Sequence, residues 1–157
     1  MDEEKIERIS YLHGYISRLR SENSHLSSYN QTLSSENKKL EEEIKQYTEM
    51  IKQIKNGVNT LNEAKTTMNN ANNEFKANYS SASQRAKNIN TNFNTAITST
   101  SGLVSQLNGI IPEAIRKIEE KRRKISNNQE IINKNNRSIE NNNVSIERAK
   151  NEIWYLS

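Results

Sequence analysis

Apolar residues recur at a fixed phase along the first half of the chain. Leu12, Leu19, Leu26, Leu33 and Leu40 stand seven apart, and Tyr47, Ile54, Leu61, Met68 and Phe75 continue the series. A second series, alternately three and four residues away, reads Ile9, Ile16, Asn23, Asn30, Asn37, Ile44, Ile51, Val58, Lys65 and Asn72. In heptad notation the first series is d and the second a. An apolar period of about 3.5 residues held over many heptads specifies a helix whose stripe must be covered by another helix, so this is coiled-coil sequence.

The second half carries its own ladder, Ile111, Ile118, Ile125, Ile132, Ile139, Ile146 and Ile153, for which the companion positions read Ile115, Arg122, Gln129, Asn136, Asn143 and Lys150. Ahead of it, Ala86, Ile89, Phe93, Ile97, Val104 and Leu107 lead in with two pairs of successive four-residue steps, around Phe93 and Ile111. Such steps read as stutters that locally unwind a coiled coil. Pro112 falls at the second one and predicts a helix kinked or interrupted there, because proline removes a backbone donor. Between the halves, 69–83 shifts to Asn, Ala and Ser, whose short polar side chains offer the backbone local alternatives to helical bonds. The pattern therefore predicts an all-α fold: a single elongated antiparallel helical hairpin over 1–157, with helix one at about 3–76, a turn at about 77–83 centred near Ser81, and helix two at about 84–156.

The asparagines decide between partners for the first ladder. In a parallel homodimer Asn23, Asn30 and Asn37 would meet their own copies in three successive polar layers, whereas one buried Asn already costs stability. An antiparallel partner in the same chain places a against d. With paired residue numbers summing to about 162, Asn23 faces Ile139, Asn30 faces Ile132 and Asn37 faces Ile125, while Leu26 faces Asn136 and Leu33 faces Gln129. Each layer then holds one aliphatic and one polar side chain.

Composition agrees with narrow seams. Only 32% of the residues are hydrophobic, too little for a thick core. The net charge of +4 is small, and the densest basic stretch, from Arg116 to Lys124, is interrupted by Glu119 and Glu120 and has no interleaved aromatic, so it reads as a solvated face and not a nucleic-acid site. Without cysteine, disulfides and thiolate metal sites are excluded. No window approaches the roughly 18 apolar residues of a membrane span, and the acidic start is unlike a Sec signal. These readings predict a cytoplasmic protein, or one secreted with its partner by a route that does not use Sec. Glu22 and His25 have the Glu-x-x-His spacing of di-iron bundles, but His13, the other histidine, has Ser10 where its glutamate should be. No phosphate loop, nucleophile motif or paired ligand set follows, and the chain is expected to be non-enzymatic, with no cofactor.

Three surfaces are candidates for protein partners. Gly57, Ala64 and Ala71 share heptad position g and form a small-residue strip where another backbone could come close. Leu103, Leu107 and Ile110 recur at i, i+4 and i+7 and form a second stripe on helix two. Trp154 and Tyr155 either staple the C-terminal end onto Ile6 and Ile9 or form an exposed docking tag.

The stretch Ile51 to Leu61, the Asn-rich Met68 to Tyr79 and the ladder Ile111 to Ile153 resemble the YwqH-like small helical proteins encoded beside LXG-domain toxins of Gram-positive type VII secretion systems. The resemblance is one of composition and period over about two thirds of the chain. It implies a non-enzymatic targeting chaperone that binds the helical N-terminal domain of an LXG-type toxin, alone or with a second small helical protein, and supports its export. Two marks of related secreted hairpins are missing: the Trp-x-Gly turn, with Asn78-Tyr79-Ser80 near its place, and a Tyr-x-x-x-Asp/Glu signal. The competing expectation is a self-associating scaffold or spacer, a homodimer through Leu12 to Leu40.

Overall fold

A computed structural model describes residues 2–79 and 83–157. Two helices account for nearly all of them, α1 over Glu3–Asn78 and α2 over Gln84–Leu156, and they pack against each other as an antiparallel hairpin. Asp2 opens α1, its carbonyl accepting from the Lys5 and Ile6 amides at 3.0 and 3.2 Å, with Glu3 and Glu4 at the positive end of the helix dipole. Ser83 caps α2, its Oγ accepting from the Ala86 amide at 3.1 Å and satisfying one of the first turn's orphan donors. Ser81, the expected centre of the turn, lies outside the described residues.

Pro112 sits inside α2 without ending it. The carbonyl that loses its donor belongs to Asn108, and both residues are exposed, so water can take the place of the missing bond and the break is tolerated. Threonine hydroxyls in the helix interiors find partners locally: Thr48, Thr60, Thr66, Thr91 and Thr95 each donate to the carbonyl four residues back.

The covered positions of α2 correct the expected pattern. They run from Ala86 through Asn90, Phe93, Ile97, Thr100, Val104, Leu107, Ile111, Ala114 and Ile118 in steps of four and three without interruption, so there are no stutters. The companion column of the isoleucine ladder lies one residue earlier than expected: Ala114 is 2% exposed whereas Ile115 is 43% exposed, and Asn128, Asn135, Asn142 and Ala149 take the places assigned to Gln129, Asn136, Asn143 and Lys150.

Two compact units divide the hairpin, one formed by 1–42 with 121–157 and the other by 43–120. In the first, Leu12 and Ile16 are buried against Ile146 and Ala149, with Tyr15, Leu19, Ile153 and Leu156 packed around them. Leu33, Leu40 and Ile132 continue its core. In the second, Val58, Ala86, Ala114 and Ile118 are the buried apolar residues.

Candidate functional site

The asparagines of the first unit are held by one another and not by isoleucine. Asn30 donates from Nδ2 to Asn136 Oδ1 at 2.8 Å and accepts on Oδ1 from Asn135 Nδ2 at 2.7 Å. Asn23 is clamped in the same way, donating to Asn143 at 2.8 Å and accepting from Asn142 at 2.9 Å. Asn128 Nδ2 donates to Asn37 Oδ1 at 2.9 Å and to Glu36 Oε2 at 3.1 Å. The register therefore lies three to four residues further along α2 than the expected pairing of Asn23 with Ile139 and Asn30 with Ile132. Asparagine opposite isoleucine would strand a donor and an acceptor in a half-dry seam, whereas asparagine opposite asparagine satisfies both. A readable signal was present: Asn-Asn doublets at 135–136 and 142–143 recur at the same seven-residue step as Asn30 and Asn23.

Ion pairs bridge one flank of this unit. Arg8 Nε meets Glu152 Oε1 at 2.7 Å, and Lys124 Nζ meets Glu36 Oε1 at 2.6 Å. The hydrogen bond from Lys124, with that from Asn128, holds the Glu36 carboxyl below its ordinary range, and the bond from Arg8 does the same for Glu152. These residues occupy position g on both helices, one before a on α1 and one before the isoleucine ladder on α2, so g faces g along this flank.

The same columns change character in the second unit. Here the Nδ2 of Asn72 donates to Asn94 Oδ1 at 3.2 Å and sets the level of the two helices. Stepping by sevens in opposite directions from that bond places Leu103 between the levels of Gly57 and Ala64, and Ile110 between Met50 and Gly57. The g strip of α1 and two members of the second stripe of α2 thus form one flank. Leu103 and Ile110 are 50% and 45% exposed, and a Cβ added at Gly57 would meet nothing within 4 Å. Leu107 does not belong to this flank: it is half-buried in the seam column that contains Ala114.

The flank's own two columns are free of charge from Met50 to Ala71 and from Ile89 to Ile110. The neighbouring columns contribute Gln46, Gln53, Thr60 and Thr67 on α1 and Asn92, Ser99 and Gln106 on α2, where Glu113 beside Ile110 ends a stretch, 88–112, without a charged residue. Glu49, Lys52, Lys55 and Glu63 of α1 stand on other columns. A charge-depleted apolar strip with a largely neutral polar rim is the composition of a buried interface core.

Trp154 and Tyr155 are 74% and 79% exposed and pack edge to face at 5.0 Å. Ile6 is exposed and Ile9 half-buried. The aromatic pair therefore presents its surface to solvent, and of the two alternatives the staple over Ile6 and Ile9 is not formed. His25 and His13 are exposed, and among the described residues no group of three or more His, Cys, Asp or Glu converges as a metal site would require. No helix of the described residues is long and apolar enough to cross a membrane.

The fold is thus an all-α antiparallel hairpin with one asparagine-clamped unit and one unit bearing a charge-depleted flank. Comparison of the chain with protein-family models, with curated proteins and with solved structures finds no match.

Proposed function

We propose that the protein is a non-enzymatic targeting chaperone that binds the helical N-terminal domain of an LXG-type secreted toxin and supports its export by a bacterial type VII system. The reading joins the sequence resemblance to one observation, the charge-depleted flank of the second unit, where Leu103 and Ile110 stand exposed beside Gly57 and Ala64. Two helices that are apolar at a, d and g have the pattern of bundle helices and not of a two-stranded coil. Such a flank is completed by a partner's helices laid along it, and the exposed Trp154 and Tyr155 of the first unit are a second contact surface.

The rival reading, a homodimer zipped through Leu12 to Leu40, loses its surface: Leu12, Leu33 and Leu40 are buried within the hairpin, so a second copy would have to displace α2.

Co-expression with the N-terminal domain of an LXG-type toxin encoded beside this protein tests the proposal. The wild-type chain should co-purify with that domain, and the double variant Leu103→Asp with Ile110→Asp should lose it while keeping its helical circular dichroism. Retained binding by the variant rules out the face. Leu107 is unsuited to the experiment, because charge at that position would enter the seam.

A further inference from the structure

Each helix contains one asparagine followed directly by glycine, Asn56-Gly57 in α1 and Asn108-Gly109 in α2. Such a pair can lose the asparagine amide, because the glycine nitrogen reaches the asparagine Cγ with no Cβ of its own in the way. We propose that Asn108 is a site of spontaneous modification in the folded chain, converting to aspartate and isoaspartate, and that Asn56 is protected from the same reaction.

Access does not separate the two positions. Both asparagines are exposed, and a Cβ added at either glycine would meet nothing within 4 Å. The backbone does separate them. To bring Cγ onto the glycine nitrogen, the asparagine must leave its helical ψ, and that rotation swings the peptide group joining the two residues. In an unbroken helix this group is tethered at both ends, its N–H donating to the carbonyl four residues back and its C=O accepting from the amide four residues ahead. At Asn56 the carbonyl gains a further tether, since Thr60 Oγ1 donates to it at 3.2 Å. At Asn108 the residue four ahead is Pro112, which has no N–H to give and whose ring crowds that carbonyl. The Gly109 amide, bonded back to the Ser105 carbonyl, is left to hold the group. Identical dipeptides are thus held unequally, and the difference lies in Thr60 against Pro112.

The reaction needs water alone. Solvent hydroxide takes the Gly109 amide proton, and the nitrogen bonds to Asn108 Cγ. The bond from Cγ to Nδ2 breaks, and Nδ2 leaves as ammonia with a proton from water. Water then adds to either carbonyl of the cyclic imide and opens it, giving aspartate or β-linked isoaspartate with no change of oxidation state. Either product places a carboxylate in 88–112, a stretch without a charged residue. The β-linked product also lengthens the backbone by one methylene between Leu103 and Ile110, so these exposed residues lose their helical spacing whatever partner they meet.

The full-length chain, kept folded at mildly alkaline pH and sampled over days, reads the outcome. Tandem mass spectrometry of tryptic peptides 56–65 and 88–116 locates the added mass at Asn56 or Asn108, and a zero-time digest sets the background. Asn108 should convert about tenfold faster than Asn56, the weight of one to two hydrogen bonds. In urea, where neither helix survives, the two sites should react at similar rates. Pro112→Ala restores the missing donor and should slow Asn108 towards Asn56. The proposal is overturned if the folded chain leaves Asn108 unconverted or converts Asn56 as fast. It is equally overturned if Pro112→Ala leaves the Asn108 rate unchanged, or if the preference for Asn108 persists undiminished in urea, which would assign it to neighbouring sequence and not to the helix.

Discussion

Truncating Asn128 to alanine tests the asparagine register directly. Both Asn37 and Asn128 are buried, and Asn128 donates to Asn37 and to Glu36. Removing the Asn128 amide loses one neutral hydrogen bond, about 1 kcal/mol, and strands the Asn37 oxygen at about 1–2 kcal/mol. The bond to Glu36 adds little, because that carboxylate is partly exposed and keeps Lys124. Alanine returns about 0.5 kcal/mol through its higher helix propensity. The net loss is about 2 kcal/mol, which for a chain of this size lowers Tm by roughly 4–8 °C. The double variant Asn37→Leu with Asn128→Leu removes both partners and adds an aliphatic layer, so it should match or exceed the wild type. Thermal and urea unfolding followed at the helical circular-dichroism band measure all three proteins. An Asn128→Ala chain within about 0.5 kcal/mol of wild type, or a double variant no better than the single one, would refute the pairing of asparagine with asparagine.

Two further outcomes follow from local geometry. Because Glu36 and Glu152 have folded-state pKa values held down by Lys124 and Arg8, each contributes stability that is fully present above the ordinary glutamate value of about 4.3 and is lost as pH falls through the lower folded value; Glu36→Gln should flatten this acid limb in an unfolding series, and an unchanged limb would discount the pair. Gly102 and Gly109 are exposed in α2 with open space where a Cβ would go, so alanine at either should raise stability by about 0.5–1 kcal/mol, and Pro112→Ala should add about 1–3 kcal/mol by restoring a backbone bond; a fall in midpoint for any of these would contradict an unstrained continuous α2.

Much of the architecture was legible in the residues. Leu12 to Leu40 and Ile111 to Ile153 state a helical period and a need for helical cover, whatever the partner, because seven residues nearly complete two turns. Asn-, Ala- and Ser-rich sequence ahead of Gln84 marks where α1 gives out, since short polar side chains compete for the backbone. The shared column of Gly57, Ala64 and Ala71 could also be read from spacing and residue size.

Tertiary structure decided how these pieces meet. The choice between Ala114 and Ile115 as the seam residue is a rotation of about 100° about the helix axis, which an apolar ladder on one side of α2 does not settle. The register turned on satisfying amides, and that depends on which Nδ2 lies within 3 Å of which Oδ1 across two helices. Gly57 with Ala64, and Leu103 with Ile110, lie some forty residues apart along the chain. Only the antiparallel packing of the second unit puts them on one flank, and it sends Leu107, four residues from Leu103, into the seam. Periodicity specifies that each helix has a stripe to cover; the column that shares the seam with it, and the level at which two faces meet, are chosen by side-chain pairing, and that is a property of the pair.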